Sequence, residues 1–220
     1  MEATVDLSNI KHILVDVDHT LYPRSSGVEI DMIKLINKFV AGYLGVTEEK
    51  AMEMRASRPA VYDSTLDWLQ RAYNFTDTTA FFSSIHPTEL WRYFPKNPEL
   101  VKMMQTIKVP CSIFTNSWHV HAKNVTDYLE ITKYFKKIYD LPSFGFKCKP
   151  NLSAFTTVLD DLKLPAEEVL LVDDAPKNIL AFEKIGGPGV LVDENLKPRE
   201  NFRAPVINEI TQLQKFRELF

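Results

Sequence analysis

Two aspartates two residues apart, Asp16 and Asp18, follow the apolar run Ile13-Leu14-Val15 near the start of a 220-residue chain. A short apolar, partly β-branched run reads as a buried strand, and in an open α/β sheet ligands bind at the C-terminal ends of the strands. Side chains alternate along a strand, so both carboxylates are expected on one face while the chain stays extended. Two like charges that close together are tolerable only with a cation, a shared proton, or both. The chemistry of such a pair is therefore cation binding or proton sharing. Three more polar stations fall at or just after apolar stretches: Thr115-Asn116, Lys149 and Asp173-Asp174. Each alone is usually a solvated loop, and it is their common order and placement that argues for one site.

These stations need elements to carry them. A first strand is expected over Lys11–Val17, then a turn through Tyr22-Pro23-Arg24 and Ser25-Ser26-Gly27. Ile33, Ile36, Val40 and Leu44 recur at helical spacing, closed by Gly45. Further helices are predicted from Thr47 to before Pro59, over Ser64–Asn74 and over Thr76–Ser84. No strand is read between residues 24 and about 96. Beyond that block helices and strands alternate: a helix over Pro98–Ile107, a strand over Cys111–Thr115, a helix through Ala122, Val125 and Leu129, and a short strand at Lys137-Ile138-Tyr139. A strongly amphipathic helix through Leu152, Phe155, Val158, Leu159 and Leu162 leads to the strand Val169–Val172. A helix opened by Pro176 and closed by Gly186-Gly187, a strand at Val190-Leu191-Val192 and a terminal helix marked by Ile210, Leu213 and Phe216 complete the pattern. Such alternation implies a mainly parallel sheet with right-handed crossovers, the first strand lying between the second and fourth. The fold class is α/β, a Rossmann-like core of residues 1–22 and 97–220 with an inserted all-helical domain over residues 23–96.

Composition narrows the partners. A chain of this length that is 45% hydrophobic can bury one large domain, or a core with a small insert. A formal net charge of −3 gives no electrostatic case for a nucleic-acid polymer. Cys111 and Cys148 form no CxxC pattern, so neither zinc nor a disulfide framework is expected, which fits a reducing, cytoplasmic compartment. Met1–Ile10 lacks a basic region followed by an apolar core, and no apolar run approaches the ~20 residues that cross a bilayer. A soluble protein with a small-molecule partner is the expectation. The oligomeric state is not readable.

In this order and placement, Asp16-Val17-Asp18-His19-Thr20, Ser112-Ile113-Phe114-Thr115-Asn116, Lys149-Pro150 and Asp173-Asp174 with Asn178 behind them resemble the haloacid dehalogenase (HAD) superfamily of aspartate-dependent phosphotransferases. The helical block after the first of these resembles that family's C1 cap. Within the family the chain is most similar to the pyrimidine 5′-nucleotidase branch, through Leu21-Tyr22-Pro23, Phe39-Val40, Leu44-Gly45-Val46, Ile85-His86-Pro87, Thr115-Asn116 with His121-Ala122, and Cys148-Lys149-Pro150. It departs from the branch at Arg55–Tyr62, where a Tyr/Gly-rich turn is usual and no glycine stands here.

The resemblance implies a phosphatase acting on a small phosphomonoester, with nucleoside 5′-monophosphates first and a sugar phosphate or other phosphorylated metabolite as the alternative. Asp16 would be the nucleophile that forms an aspartyl-phosphate. Asp18 would be the acid and base, kept protonated by the neighbouring carboxylates. Thr115 and the backbone N–H of Asn116, at a helix start, would hold phosphate oxygens, and Lys149 would add fixed positive charge. Asp173 and Asp174, with Asp16 and the carbonyl of Asp18, would hold Mg²⁺. Arg55, Arg58, Tyr62 and His86 are the candidate substrate contacts of the cap, which would cover the site as a lid. His19 is read as a loop variant whose side chain points away from the Asp16/Asp18 face.

Three other readings use the same residues. A receiver-type signalling domain has its acidic pair first in the chain and no helical insertion, so the order is wrong. A catalytically silent phospho-ligand binder is opposed by intact Asp16, Asp18, Thr115, Lys149 and Asp174. Dehalogenase chemistry is opposed by Asp18, since a departing halide needs no proton.

Overall fold

A computed structural model of the chain describes residues 7–220. The leaderless reading of the N-terminus falls partly on residues 1–6, outside that span. The chain forms two compact units, one running through Ser25 and resuming over Phe94–Phe220, the other comprising Ser26–Tyr93.

The first unit is built on six strands: β1 His12–Val15, β2 Cys111–Phe114, β3 Phe135–Tyr139, β4 Val169–Asp173, β5 Gly189–Val192 and β6 Val206–Ile207. Their order across the sheet is β3-β2-β1-β4-β5-β6, with every neighbouring pair parallel. β1 therefore lies between β2 and β4, as the alternation implies. Every residue of β1, β2, β4 and β5 is buried, the condition of strands covered on both faces.

The eight helical segments assigned as α among the described residues are α1 Val28–Leu44, α2 Glu48–Ala56, α3 Thr65–Tyr73, α4 Thr78–Ile85, α5 Pro98–Thr106, α6 His119–Tyr128, α7 Leu152–Leu162 and α8 Pro176–Glu183. The last four connect the strands. Phe114 of β2, Phe155 of α7 and Phe182 of α8 are fully buried and meet ring to ring at 5.5 and 5.4 Å.

Two features depart from the sequence reading. The chain adds the short edge strand β6, whose two residues are too few to show alternation. The expected terminal helix is instead 3₁₀ turns over Ile210–Lys215 and Arg217–Leu219. Ile210 and Leu213, three apart and both buried, fit a three-residue period as well as an α-helical one.

The second unit contains α1–α4 and, among its residues, no strand. Side chains of Thr47, Ser64 and Asp77 accept the backbone N–H groups of Lys50, Asp67 and Ala80, so three helices start on ordinary N-caps. Gly45 closes α1 at φ 67° and donates its N–H to the Ala41 carbonyl. Phe39, Phe75 and Phe81 pack edge to face inside the unit. The inward face of α1 is rotated from the one expected: Ile33 is 44% exposed, whereas Asn37, Val40 and Ala41 are buried. Among the described residues no helix is long and apolar enough to cross a membrane.

Candidate active site

Asp16 follows β1, and its N–H still pairs with the Val172 carbonyl of β4 at 2.9 Å. Lys149 reaches the same place from the loop after β3. Its buried ammonium donates to Asp16 Oδ1 at 3.0 Å, Asp173 Oδ2 at 2.7 Å and the Phe114 carbonyl at 2.6 Å. Burial alone would lower the pKa of Lys149, but the carboxylates of Asp16 and Asp173 outweigh it and push it up to about 12. The lysine is a permanent cation. Asn116 holds its backbone on both sides: Lys149 N–H donates to Asn116 Oδ1 at 2.7 Å, and Asn116 Nδ2 donates to the Lys149 carbonyl at 3.1 Å.

Asp173, fully buried at the end of β4, also accepts the Ala175 N–H at 2.9 Å and Asn178 Nδ2 at 2.8 Å on Oδ1. Asp174 has other partners. Its Oδ2 accepts Arg24 Nη2 at 2.6 Å and lies 3.4 Å from His19 Nδ1. The carboxylates of Asp16, Asp173 and Asp174 nevertheless offer ligand oxygens all within 4.8 Å of one another. Burial pushes the Asp16 carboxyl well above the usual range; Lys149 opposes this, and Asp173, Asp174 and Asp18 add to it. A cluster short of positive charge, built from hard oxygen donors, fits a divalent cation such as Mg²⁺.

Asp18 stands apart from that group. Its Oδ1 accepts the Tyr22 hydroxyl and His121 Nε2, the latter at 2.8 Å, and its Oδ2 accepts Ser117 Oγ at 2.5 Å. Burial would raise its pKa, but the charge of His121 and the three hydrogen bonds take it far below the ordinary carboxylate value. The expectation of a protonated Asp18 is thus corrected, because three donors converge on it. The metal role expected of Asp18 is one for its carbonyl; its carboxylate is held by these three partners and is not among the clustered ligand oxygens of Asp16, Asp173 and Asp174.

The shared-face expectation holds only while the chain stays extended, and here the chain turns. β1 ends at Val15, the N–H groups of Thr20 and Leu21 both return to the Val17 carbonyl, and His19 adopts φ 61°. Alternation stops before Asp18. The same turn places His19 Nδ1 3.4 Å from Asp174 Oδ2.

Thr115 is buried, and its Oγ1 accepts the Ser117 N–H at 3.0 Å, which leaves its own proton to donate. Asn116 lies in the turn before α6, not in the helix start expected of it, since α6 begins at His119. In the helical unit, Arg55 donates to Asn37 Oδ1 and, from Nε, to Thr65 Oγ1 at 3.3 Å. Arg58 donates to the Arg55 carbonyl at 3.1 Å, Tyr62 lies under the Arg71 guanidinium at 4.8 Å, and His86 Nδ1 is 2.9 Å from the Phe82 carbonyl. Each of these four has a partner inside its own unit.

Tyr22, Ser117, His121, Arg24 and Asn178 join the site; none is among the candidate site residues, although Tyr22, His121 and Asn178 stand among the residues that carry the resemblance. Tyr22, four residues past Asp18, and Ser117, two past Thr115, carried a local signal. His121, 103 residues from Asp18, was legible only through the resemblance, in His121-Ala122, with no local spacing to tie it to Asp18.

The chain matches the family of haloacid dehalogenase-like hydrolases over residues 10–186. Among solved structures, it is similar to a HAD phosphatase from Thermococcus onnurineus, with 15% identity and TM-score 0.65 over 94% of this chain and 98% of that one. YfnB of Bacillus subtilis, assigned as a HAD-hydrolase and solved with magnesium bound, matches at 17% identity and TM-score 0.58, covering 94% and 98%. A 2-haloacid dehalogenase from Pseudomonas syringae pv. Tomato matches at 19% identity and TM-score 0.60, covering 94% and 97%. At such identities the likeness is one of fold.

Proposed function

The chain belongs to the haloacid dehalogenase-like hydrolases, and on that premise we propose that it is a Mg²⁺-dependent phosphomonoester hydrolase working through an aspartyl-phosphate on Asp16. The observation that carries the reading is the Asp16–Lys149–Asp173 cluster beside Asp174, a buried lysine shared by two carboxylates with a third in ligand range. Asp16 attacks phosphorus, the bond to the leaving oxygen breaks, and water then hydrolyses the acyl phosphate. Lys149 orients Asp16 and offers charge to the phosphate, while Thr115 donates its hydroxyl proton to a phosphate oxygen. When bound, Mg²⁺ would be held by Asp16, Asp173 and Asp174 and would supply positive charge against the phosphate. Asp173 is already engaged by Lys149, Ala175 and Asn178, so Asp174 has more freedom to meet the ion. The proton for the leaving oxygen is handled by the Asp18–His121 pair: it passes through Asp18 to the leaving oxygen, and Asp18 later takes one from the attacking water.

A halide needs no such proton, so a three-donor cage on Asp18 favours a phosphatase over a dehalogenase. A silent phospho-ligand binder would need neither the cage nor a lysine-oriented Asp16. The helical unit is read as a C1-type cap, with Arg55, Arg58, Tyr62 and His86 as its proposed substrate contacts. Similarity to the pyrimidine 5′-nucleotidase branch, including Ile85-His86-Pro87, puts UMP and CMP first. One observation favours a second substrate class: among the described residues neither Arg55 nor Arg58 forms an ion pair with a carboxylate, which would suit a second anionic group on a sugar or acid phosphate.

The test is a panel of UMP, CMP and sugar phosphates, with and without Mg²⁺, on wild type and Asp16→Asn. The variant is expected to fold and lose several powers of ten in kcat/KM. Near-normal turnover would end the covalent mechanism. A sugar phosphate preferred by about tenfold, or about 1.4 kcal/mol, with the preference erased in Arg55→Ala and Arg58→Ala, would end the nucleotidase assignment alone.

A further inference from the structure

Tyr22 is held by neighbours that take no part in the chemistry above. Its buried ring lies face to face on Phe94, centroids 4.5 Å apart and planes 8° from parallel. Phe94 is fixed in turn by Tyr128 of α6, whose ring meets it edge-on at 5.5 Å and whose hydroxyl donates to the Phe94 carbonyl at 2.9 Å. From this ring the hydroxyl donates to Asp18 Oδ1, the oxygen that His121 also contacts, while Ser117 holds Oδ2. A carboxylate with donors on both oxygens, two of them on one, has its plane and direction set from three sides. Without the tyrosine hydroxyl, Oδ1 keeps one donor and the group can turn about its terminal torsion.

We propose that Tyr22 is a positioning residue for the acid–base step, its hydroxyl and its stack on Phe94 together fixing the rotamer in which Asp18 meets the leaving oxygen. This rests on the reading of Asp18 as the group that protonates that oxygen. Misplacing a catalytic group by about 1 Å can cost on the order of a hundredfold in rate. The loss should depend on the leaving group. A p-nitrophenolate departs without a proton, whereas an alkoxide needs one.

The experiment compares kcat/KM, which reports the first transfer step, for p-nitrophenyl phosphate and for UMP or whichever alkyl phosphate of the panel wild type turns over. Tyr22→Phe keeps the ring and the stack and removes only the hydroxyl; Phe94→Leu keeps the hydroxyl and removes the stack. Both should melt as folded proteins. The alkyl phosphate is expected to lose about ten- to a hundredfold in Tyr22→Phe, with p-nitrophenyl phosphate little changed and Phe94→Leu showing a smaller loss of the same selectivity. Equal losses on both substrates, as a packing role would give, overturn the inference, and so does no loss on either. Asp18→Asn separates this from the underlying reading. If it shows the selective loss and Tyr22→Phe does not, only the Tyr22 inference falls; if Asp18→Asn is itself unselective, or wild type hydrolyses no phosphomonoester, the acid–base reading falls and takes this one with it.

Discussion

One oxygen, Asp174 Oδ2, carries both Arg24 at 2.6 Å and His19 at 3.4 Å, and the same side chain belongs to the carboxylate group that fits a cation. If Asp174 holds Mg²⁺ as proposed, Arg24 competes with the ion for it. The arginine is about half exposed, and such a pair contributes up to about 1 kcal/mol. Arg24→Gln is expected to bind Mg²⁺ up to about fivefold more tightly by isothermal titration calorimetry. Equal or weaker binding would show that Arg24 does not compete. Lys149 sits at the other extreme, buried between Asp16 and Asp173. Lys149→Met strands two buried carboxylates, so a loss of about 3–5 kcal/mol is expected in denaturant melts without metal. Mg²⁺ should restore part of it, because the ion can neutralise the same pair.

At the scale of elements, β5 is packed against α8 with no room for another carbon. A Cβ at Gly187, just before β5, would fall 2.2 Å from Cε1 of Phe182, a ring that is fully buried. Gly187→Ala is expected to destabilise the protein by about 1–3 kcal/mol, read as a lower denaturant midpoint. The buried strands were legible because burial on both faces writes a continuous apolar run: Ile13-Leu14-Val15 and Val169–Val172 say strand without help from partners. The positions of Asp16 and Asp173 at the strand ends were legible for the same reason. The direction of Asp18 was not, since alternation holds only in extended chain and β1 stops at Val15. Nor was the cage around it, because His121 comes from α6 and no spacing rule links it to β1. On α1, Ile33 misled because a polar residue, Asn37, takes an inward place by accepting from Arg55.

For the molecule as a whole, the consequential fact is that the carboxylate group lies entirely in one of the two units, with no member from Ser26–Tyr93. A ligand that binds only the folded form stabilises it by RT ln(1 + [L]/Kd), about 2.7 kcal/mol at a hundred times Kd. Mg²⁺ at that level should therefore slow hydrogen exchange about a hundredfold at the amides of β1 and β4 that open only when the α/β unit unfolds. The slowest amides of α1–α4 should keep their rates, since their unit contributes no ligand and gains nothing directly. Asp174→Asn should remove the slowing at β1 and β4, each variant being compared with its own metal-free rates because the Arg24 pair is lost as well. If Mg²⁺ slows the helical amides by the same factor, the two units open together and the stabilisation is shared by the whole chain. If it slows neither set, the carboxylate group does not hold the ion.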